Sequence, residues 1–207
     1  TPPWLVVPLG TESSPNHRLT YPLFVKPRRE DASLGIDASN VVHNFHELKE
    51  KVEYIHTAYR DDALVEEYIE GRELNIALFG TSPVKVLPIS EITFDGELES
   101  PIVTYAGKWD EHSPEYTGTV PLCPAVLTEA EERLIRGISL RIYTLLGLRD
   151  YARVDVRLRG GIPWVLEVNA NPDISPDAGY ARSARVEGIP YEELIESILL
   201  FAAERKW

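Results

Sequence analysis

Between Tyr151 and Pro172 the chain spaces an arginine, two carboxylates and a carboxamide as phosphate and metal chemistry would require. Arg153, Asp155 and Arg157 alternate with Ala152, Val154, Val156 and Leu158, so the charges share one face of a strand and the apolar residues the other. Gly160-Gly161 follows, and then a second strand in which Glu167 and Asn169 lie two residues apart and again share a face. Asp155, Glu167 and Asn169 can then meet at one end of a hairpin beside the guanidinium of Arg153. Hard oxygen ligands of this kind suit Mg²⁺, which keeps some of its water and binds substrate phosphates. Register decides whether they meet. A strict two-residue turn at Gly160-Gly161 pairs Asp155 with Leu166 and sends Glu167 to the opposite face. A three-residue loop, Gly160 to Ile162, pairs Asp155 with Glu167 and Arg153 with Asn169, and this loop is the expectation. The same stretch also describes a half-exposed hairpin with solvated charges.

Two further groups could handle a nucleotide. Lys26 ends a short apolar strand from Pro22, Pro27 closes it, and Arg28 to Gly35 is a polar loop of small residues. A lysine there can meet phosphate as a point charge, and the loop can do so through backbone N–H groups; an exposed turn fits the same residues. Neither a Walker A pattern nor G-x-G-x-x-G occurs. Glu66, Glu67 and Glu73 bracket a turn at Glu70-Gly71, where carboxylates could accept from ribose hydroxyls or an adenine amino group, or simply be solvated. His43, His46 and His56 form no H-E-x-x-H and read as surface residues.

The elements that must position these groups follow from periodicity. Strands are expected at 4–7, 22–27, 63–69, 72–79 and 83–94, with a hairpin turn at Asp95-Gly96. Asn44 opens a helix with a capping-box pattern ending on Glu47, and Phe45, Leu48, Val52, Ile55 and Tyr59 form its apolar stripe. Residues 97–120 read as a long irregular segment. Thr128 and Glu131 cap a second helix that runs to Gly147, with Leu134, Ile138, Ile142, Leu145 and Leu146 facing inward. Tyr191 to Arg205 is a third, with Leu194, Ile195, Ile198, Leu199 and Phe201 inward. The order implies an α+β fold with antiparallel sheets.

Composition narrows the class. The 207 residues can bury a sizeable core as one domain or two small ones. The net charge of −12 opposes non-specific binding to nucleic acid or an anionic membrane, although a local basic pocket remains compatible with it. One cysteine, Cys123, excludes an internal disulfide, fits a reducing cytoplasmic setting, and reads as a small core residue. No apolar run of 18 or more residues appears. Methionine is absent, initiator included, so a piece of a longer or processed protein is expected.

Taken together, five segments resemble the ATP-grasp portion of the D-alanine–D-alanine ligase family. They are Val25-Lys-Pro27 with Glu30 to Gly35; Leu64 to Ile69 with Gly71-Arg-Glu73; Tyr105-Ala-Gly-Lys-Trp109; Arg153-Val-Asp155; and Glu167-Val-Asn-Ala-Asn-Pro172. They keep the family's order over nearly the whole chain. The resemblance implies an ATP-grasp fold, two α+β lobes with antiparallel sheets clamping ATP between them. The lid lobe would lie at 1–70 and the larger lobe, with the metal site, at 71–207. It implies that Lys26 and Lys108 hold ATP phosphates, and that the Asp31–Gly35 loop, with Ser33, closes over the γ-phosphate. Glu66 and the backbone of Glu67, Tyr68 and Ile69 would meet adenine, and Glu73 the ribose. Asp155, Glu167 and Asn169 would hold Mg²⁺ or Mn²⁺, and Arg153 would stabilise charge during transfer. The implied reaction activates a carboxylate as an acyl phosphate for attack by an amine. Amino acids or dipeptides are the implied substrates, and a homodimer is allowed. The family's N-terminal domain should precede Thr1, so this chain alone is expected to bind nucleotide but not to complete the reaction.

Four positions depart from the family pattern. Asp173 stands where glycine is usual, and the serine that holds the second substrate's carboxylate maps near Ala178-Gly179. The lid's paired serines are Ala32-Ser33, and the tyrosine after the second lysine is Trp109. The ATP half therefore resembles the family while the acceptor half is rewritten. Asp173 or Asp177 could meet a cationic acceptor, or Arg182 a carboxylate, although solvated surface charge is the simpler explanation of all three. A genuine D-alanine–D-alanine ligase and a non-catalytic nucleotide-binding module are the alternatives.

Overall fold

A computed structural model describes residues 1–95 and 101–204. The expected turn at Asp95-Gly96 and the expected helix end at Arg205 fall partly outside the described residues. The chain forms two compact units, residues 1–70 with 94–120, and residues 71–93 with 121–207. The segment 94–120, assigned above to the larger lobe, thus groups with the first unit.

In the first unit β1 (Trp4–Val7), β2 (Leu23–Pro27), β3 (Val41–Val42) and β4 (Ala63–Glu67) form an antiparallel sheet in the order β1-β4-β2-β3. Helix α1 (Phe45–Ala58) covers one face, and Leu48, Val52 and Ile55 pack with Leu23, Val25, Val42, Ala63 and Val65. Asn44 caps it, its side chain accepting from Glu47 N at 3.1 Å, but the expected capping box is not closed, because the Glu47 carboxylate accepts from His43 N at 2.7 Å, one residue before the cap, instead of from Asn44 N.

Residues 97–100 lie outside the described residues; residues 101–120, the rest of the segment expected to be irregular, are more ordered than their composition suggests. They include α2 (Tyr105–Trp109) and α3 (Pro114–Gly118), capped by Thr104 and Ser113, and the start of β8 (Thr119–Leu122). Their ties explain the grouping: Tyr105 N donates to Ile36 O at 2.9 Å, Trp109 Nε1 to Ala32 O at 3.0 Å, and the Tyr68 hydroxyl to Pro101 O at 3.2 Å.

The second sheet runs β10 (Ile162–Asn169), β9 (Tyr151–Arg159), β5 (Arg72–Phe79), β7 (Ser90–Phe94), β8, with β6 (Lys85–Val86) also on β5. The single strand expected over 83–94 is thus two short ones. One face carries Leu74, Ile76, Leu78, Ala152, Val154, Val156 and Leu158 against α4 (Glu129–Leu145). On the other face, α5 (Gly179–Val186), which the sequence reading missed, and α6 (Tyr191–Ala203) cover Ala77 with Tyr180, Ala181, Ala184 and Leu194. Phe79 and Tyr151 flank Ala77 on that face, and the rows on its other side carry Glu73, Asn75, Asp155 and Arg157.

Helix α4 is rotated relative to the expected stripe, of which Ile142 still packs against the core. Ile135, Ser139 and Tyr143 are buried, whereas Leu134, Leu145 and Leu146 are 45%, 78% and 57% exposed. The rotation lets Tyr143 donate its hydroxyl to Gly80 O at 2.8 Å, and Gly147 ends the helix with φ +62° before Leu145 and Leu146 can reach the core. In α6, Leu194 is buried but Leu199, expected inward, is 65% exposed. Cys123 is half-buried rather than a core residue.

Candidate functional site

The polar face of the second sheet is a grid set by strand pairing. Across β5, β9 and β10 one row holds Glu73, Arg157 and Trp164, the next Asn75, Asp155 and Glu167, and the third Ala77, Arg153 and Asn169. Asp155 and Glu167 therefore pair, as do Arg153 and Asn169. The expected pairing is reached by another route. Ile162 pairs with Arg159, so the turn is the two-residue Gly160-Gly161, and the three-residue loop is corrected. Both glycines have positive φ, 58° and 76°, which suits the tight turn. A bulge between Val165 and Glu167 then inserts Leu166 and shifts the register by one. Val165 and Val168 stay on the core side while Glu167 and Asn169 join Asp155 and Arg153.

Arg153 forks onto both oxygens of Asp155, at 2.7 and 2.8 Å, and lies 3.8 Å from Glu167. Asn75 Nδ2 donates to Asp155 Oδ1 at 2.7 Å. Burial alone would lower the Arg153 guanidinium, but the Asp155 carboxylate outweighs it and holds the group above its ordinary value, so its charge is permanent. Two carboxylates and a carboxamide at adjacent positions form an oxygen donor set that fits a hard divalent cation. Asn169 Oδ1 also accepts from Asn171 N at 3.0 Å, which fixes the carboxamide.

Glu73, expected to face ribose, is paired with Arg157: Nη2 reaches Glu73 Oε2 at 2.6 Å and Nη1 reaches Gly71 O at 3.2 Å. Burial pushes the Glu73 carboxyl above the usual carboxylate range, with Arg157 opposing and Asp155 adding to the rise. Gly71 is required here, because a Cβ on it would lie 2.4 Å from Leu158 O. Arg157, Asn75 and Trp164 are residues the sequence reading gave no role. For Asn75 and Arg157 the signal was available, since each sits two residues from an assigned one, Glu73 and Asp155; Trp164 is three from Glu167 and joins the face only through the bulge.

In the first unit Lys26 Nζ lies 2.9 Å from Glu66 Oε2, so the expected phosphate lysine and adenine carboxylate hold each other. Glu67 Oε1 accepts from Thr20 N at 2.9 Å; the Glu67 and Tyr68 amides donate to Pro3 O and Pro22 O; Ile69 is buried. Lys108, in the last turn of α2, stands 5.5 Å from the centroid of the Trp109 ring and has no ion-pair partner among the described residues.

The loop before Gly35 holds Ala32 and Ser33 at φ +52° and +63°, left-handed values that cost about 1–2 kcal/mol per residue. Two contacts offset that cost: Trp109 Nε1 on Ala32 O, and Ile36 N on Ser33 O at 3.0 Å. Gly35, at φ +75°, must be glycine because a Cβ would come within 2.8 Å of the Tyr59 ring. Fully buried Asn40 anchors the loop, donating to Val25 O at 2.6 Å and Gly35 O at 2.9 Å.

The departures at Asp173 and Ala178, with Asp177 and Arg182, lie around the start of α5. Asp173 caps a turn by accepting from Ser175 N and Oγ at 2.8 and 2.6 Å. Arg182 donates to Asp177 O at 3.0 Å. Ala178 is the N-cap of α5 and supplies no side-chain cap bond, so the hydroxyl expected near this point is missing from a position that would use one.

Comparison with known proteins agrees with this architecture. The family model for the D-ala D-ala ligase C-terminus matches residues 10–200. The chain is 41% identical over 207 residues to protein y4sG of Sinorhizobium fredii, covering 99% of this chain and 58% of that protein. It is 33% identical over 190 residues to a D-alanine–D-alanine ligase of Thermotoga petrophila, covering 91% and 57% respectively. The crystal structure of a Bacillus anthracis D-alanine–D-alanine ligase complexed with ATP superposes with a TM-score of 0.78 at 26% identity, over 98% of this chain and 60% of that one. The chain thus spans somewhat over half the length of these proteins. With its two antiparallel α+β units it has the ATP-grasp fold, and it belongs to the D-alanine–D-alanine ligase C-terminal family.

Proposed function

We propose that the protein is an ATP-dependent ligase that joins a carboxylate to an amine, with an acceptor pocket altered from that of D-alanine–D-alanine ligases. The reading is supported chiefly by the register that gathers Arg153, Asp155, Glu167 and Asn169 on one polar face. In this scheme a substrate carboxylate oxygen attacks the γ-phosphorus and ADP leaves. The amine then attacks the acyl carbon and phosphate leaves. The protein's part is positioning and charge stabilisation rather than covalent chemistry. Lys26 and Lys108 meet phosphate oxygens, and Ser33 and the loop around it cover the γ-phosphate. Glu66 and the Glu67–Ile69 backbone take the adenine edge, and Glu73 the ribose. Arg153, its charge fixed by Asp155, stabilises the transferring group and the oxyanion. Asp155, Glu167 and Asn169 would hold Mg²⁺ or Mn²⁺, which neutralises phosphate charge when bound. The substrates are amino acids or dipeptides, in the cytoplasm.

ADP release by the full-length protein, screened over amino acids and dipeptides, tests the scheme. Release that depends on a carboxylate and an amine together is expected, with D-alanine a poor acceptor. ATP binding with no substrate-dependent ADP release would leave only a binding module. Brisk D-alanyl-D-alanine synthesis would favour the second reading, a genuine D-alanine–D-alanine ligase, which the name of the Thermotoga petrophila relative supports.

A further inference from the structure

The row of the grid next to the proposed metal ligands is unusual. Glu73, Arg157 and Trp164 stand side by side on β5, β9 and β10. Arg157 is 3% exposed, and it holds one oxygen of Glu73, Oε2, at 2.6 Å while its other arm is fixed on Gly71 O. Burying a guanidinium and a carboxylate is expensive, and the pair is weak evidence for stability on its own. It is economical, however, if the carboxylate must stay charged and aimed. Beside the pair, the indole N–H of Trp164 is buried with no hydrogen-bond partner among the described residues, an orphan donor of the kind that a ligand acceptor satisfies.

We infer that Arg157 is a positioning residue for nucleotide recognition: it fixes the Glu73 carboxylate so that the other oxygen, Oε1, accepts from the ribose hydroxyls of the bound nucleotide. The inference rests on the ATP reading above and goes one step deeper, from which residue meets the sugar to which residue aims it. A lysine could supply the charge but not the two-armed geometry, because its ammonium is a single point on a flexible stem. Arg157 therefore acts through orientation, and the signature of its loss is loss of sugar discrimination rather than loss of nucleotide binding altogether.

The experiment compares ATP with 2′,3′-dideoxy-ATP by calorimetric titration in the presence of Mg²⁺, using the full-length protein and its Arg157→Met, Arg157→Lys and Glu73→Gln variants. Hydrogen bonds to a charged acceptor predict that the wild type favours ATP about ten- to hundredfold over the dideoxy analogue. Arg157→Met and Glu73→Gln should each collapse that ratio towards one while binding the dideoxy analogue within a few-fold of wild type. Arg157→Lys should recover only part of the ratio. A far-ultraviolet spectrum and melting curve check that each variant is folded. If Arg157→Met does not fold, Arg157→Lys carries the test, and an undiminished ratio in it overturns the inference. A collapsed ratio in Glu73→Gln beside an intact ratio in Arg157→Met would overturn the role of Arg157 while leaving the ATP reading in place. A wild type that binds both nucleotides equally overturns the ribose contact and this inference with it. A wild type that binds neither overturns the ATP reading as well.

Discussion

Lys26 and Lys108 differ in what a phosphate must displace. Lys26 is held by Glu66 at 2.9 Å, whereas Lys108 has only the Trp109 ring beside it among the described residues. A phosphate can engage Lys108 without breaking an ion pair, and must share Lys26 with a carboxylate. Substituting either by alanine should weaken Mg²⁺-ATP binding by about tenfold or more, since each removes a charge-assisted hydrogen bond, and Lys108→Ala should cost more. His43→Ala and His46→Ala, at exposed positions, should titrate like wild type. Equal affinity across all four variants would remove both lysines from the site. Ala178 gives a second residue-scale prediction. Because it is an N-cap without a capping side chain, Ala178→Ser should stabilise the protein by about 0.5–2 kcal/mol in urea unfolding. The same variant should raise ligation rates with D-alanine as acceptor if the missing hydroxyl is what rewrote that pocket. Stabilisation without any change in acceptor preference would locate the difference elsewhere. Both groups were legible in the sequence as residue types. Their partners were not, because Glu66 approaches Lys26, and Arg157 approaches Glu73, only through strand pairing across large sequence separations.

At the scale of elements, what was legible depended on how local its cause was. The capping residues Asn44 and Thr128 act within one helical turn, and both caps form where the sequence places them. The hairpin register needed more. Glycine in both turn positions pointed to a loop, but whether the loop held two residues or three was not decided locally, and the compensating bulge at Leu166 has no strong signature. The burial of alternate residues fixed the outcome instead, since only this arrangement buries Val165 and Val168 while pairing Asp155 with Glu167. In α4 the sequence supports two stripes one residue apart, and a tyrosine hydroxyl chose between them. Ile135→Ala should therefore cost about 2–5 kcal/mol, and Leu145→Ala about 0.5 kcal/mol or less, by denaturant unfolding. The reverse order would restore the stripe expected from the sequence. The short 3₁₀ segment Ala38–Asn40 gives a pH-dependent case. Burial alone would raise the Asp37 carboxyl, but the Ser39 hydroxyl and amide and the Lys51 ammonium outweigh it and hold it below the ordinary 3.8. A carboxylate lowered in the folded state stabilises above its unfolded value, and that contribution is lost as pH falls through the folded value. Asp37→Asn keeps the capping oxygen and removes the charge. It should lower stability at pH 7 and shrink the loss between pH 4 and pH 2, and urea midpoints at the three pH values measure both.

For the whole molecule, the α+β order of elements and the antiparallel sheets were readable from periodicity, because the longer strands alternate and α1 and α4 open on capping residues. The allocation of residues 94–120 was not, because their membership in the first unit depends on three hydrogen bonds to the loop before Gly35, to Ile36 and to Tyr68. That segment carries Lys108, so the loop with Ser33 and the lysine at α2 belong to one unit and are tied through Trp109. Nucleotide binding should then be read by the stability of the chain as a whole. A ligand that binds only the folded state at 100 times its dissociation constant contributes about 2.7 kcal/mol. For a chain of 207 residues each kcal/mol moves the melting temperature by about 2–4 °C. Saturating ATP with Mg²⁺ should therefore raise the midpoint by roughly 5–10 °C. Chelating the metal should remove much of the shift, since Asp155 and Glu167 would then face phosphate charge with no cation between them. Alanine at both Lys26 and Lys108 should abolish the rest. A midpoint that ignores ATP at that concentration, with and without Mg²⁺, would overturn the nucleotide-binding reading on which the proposed ligase chemistry stands.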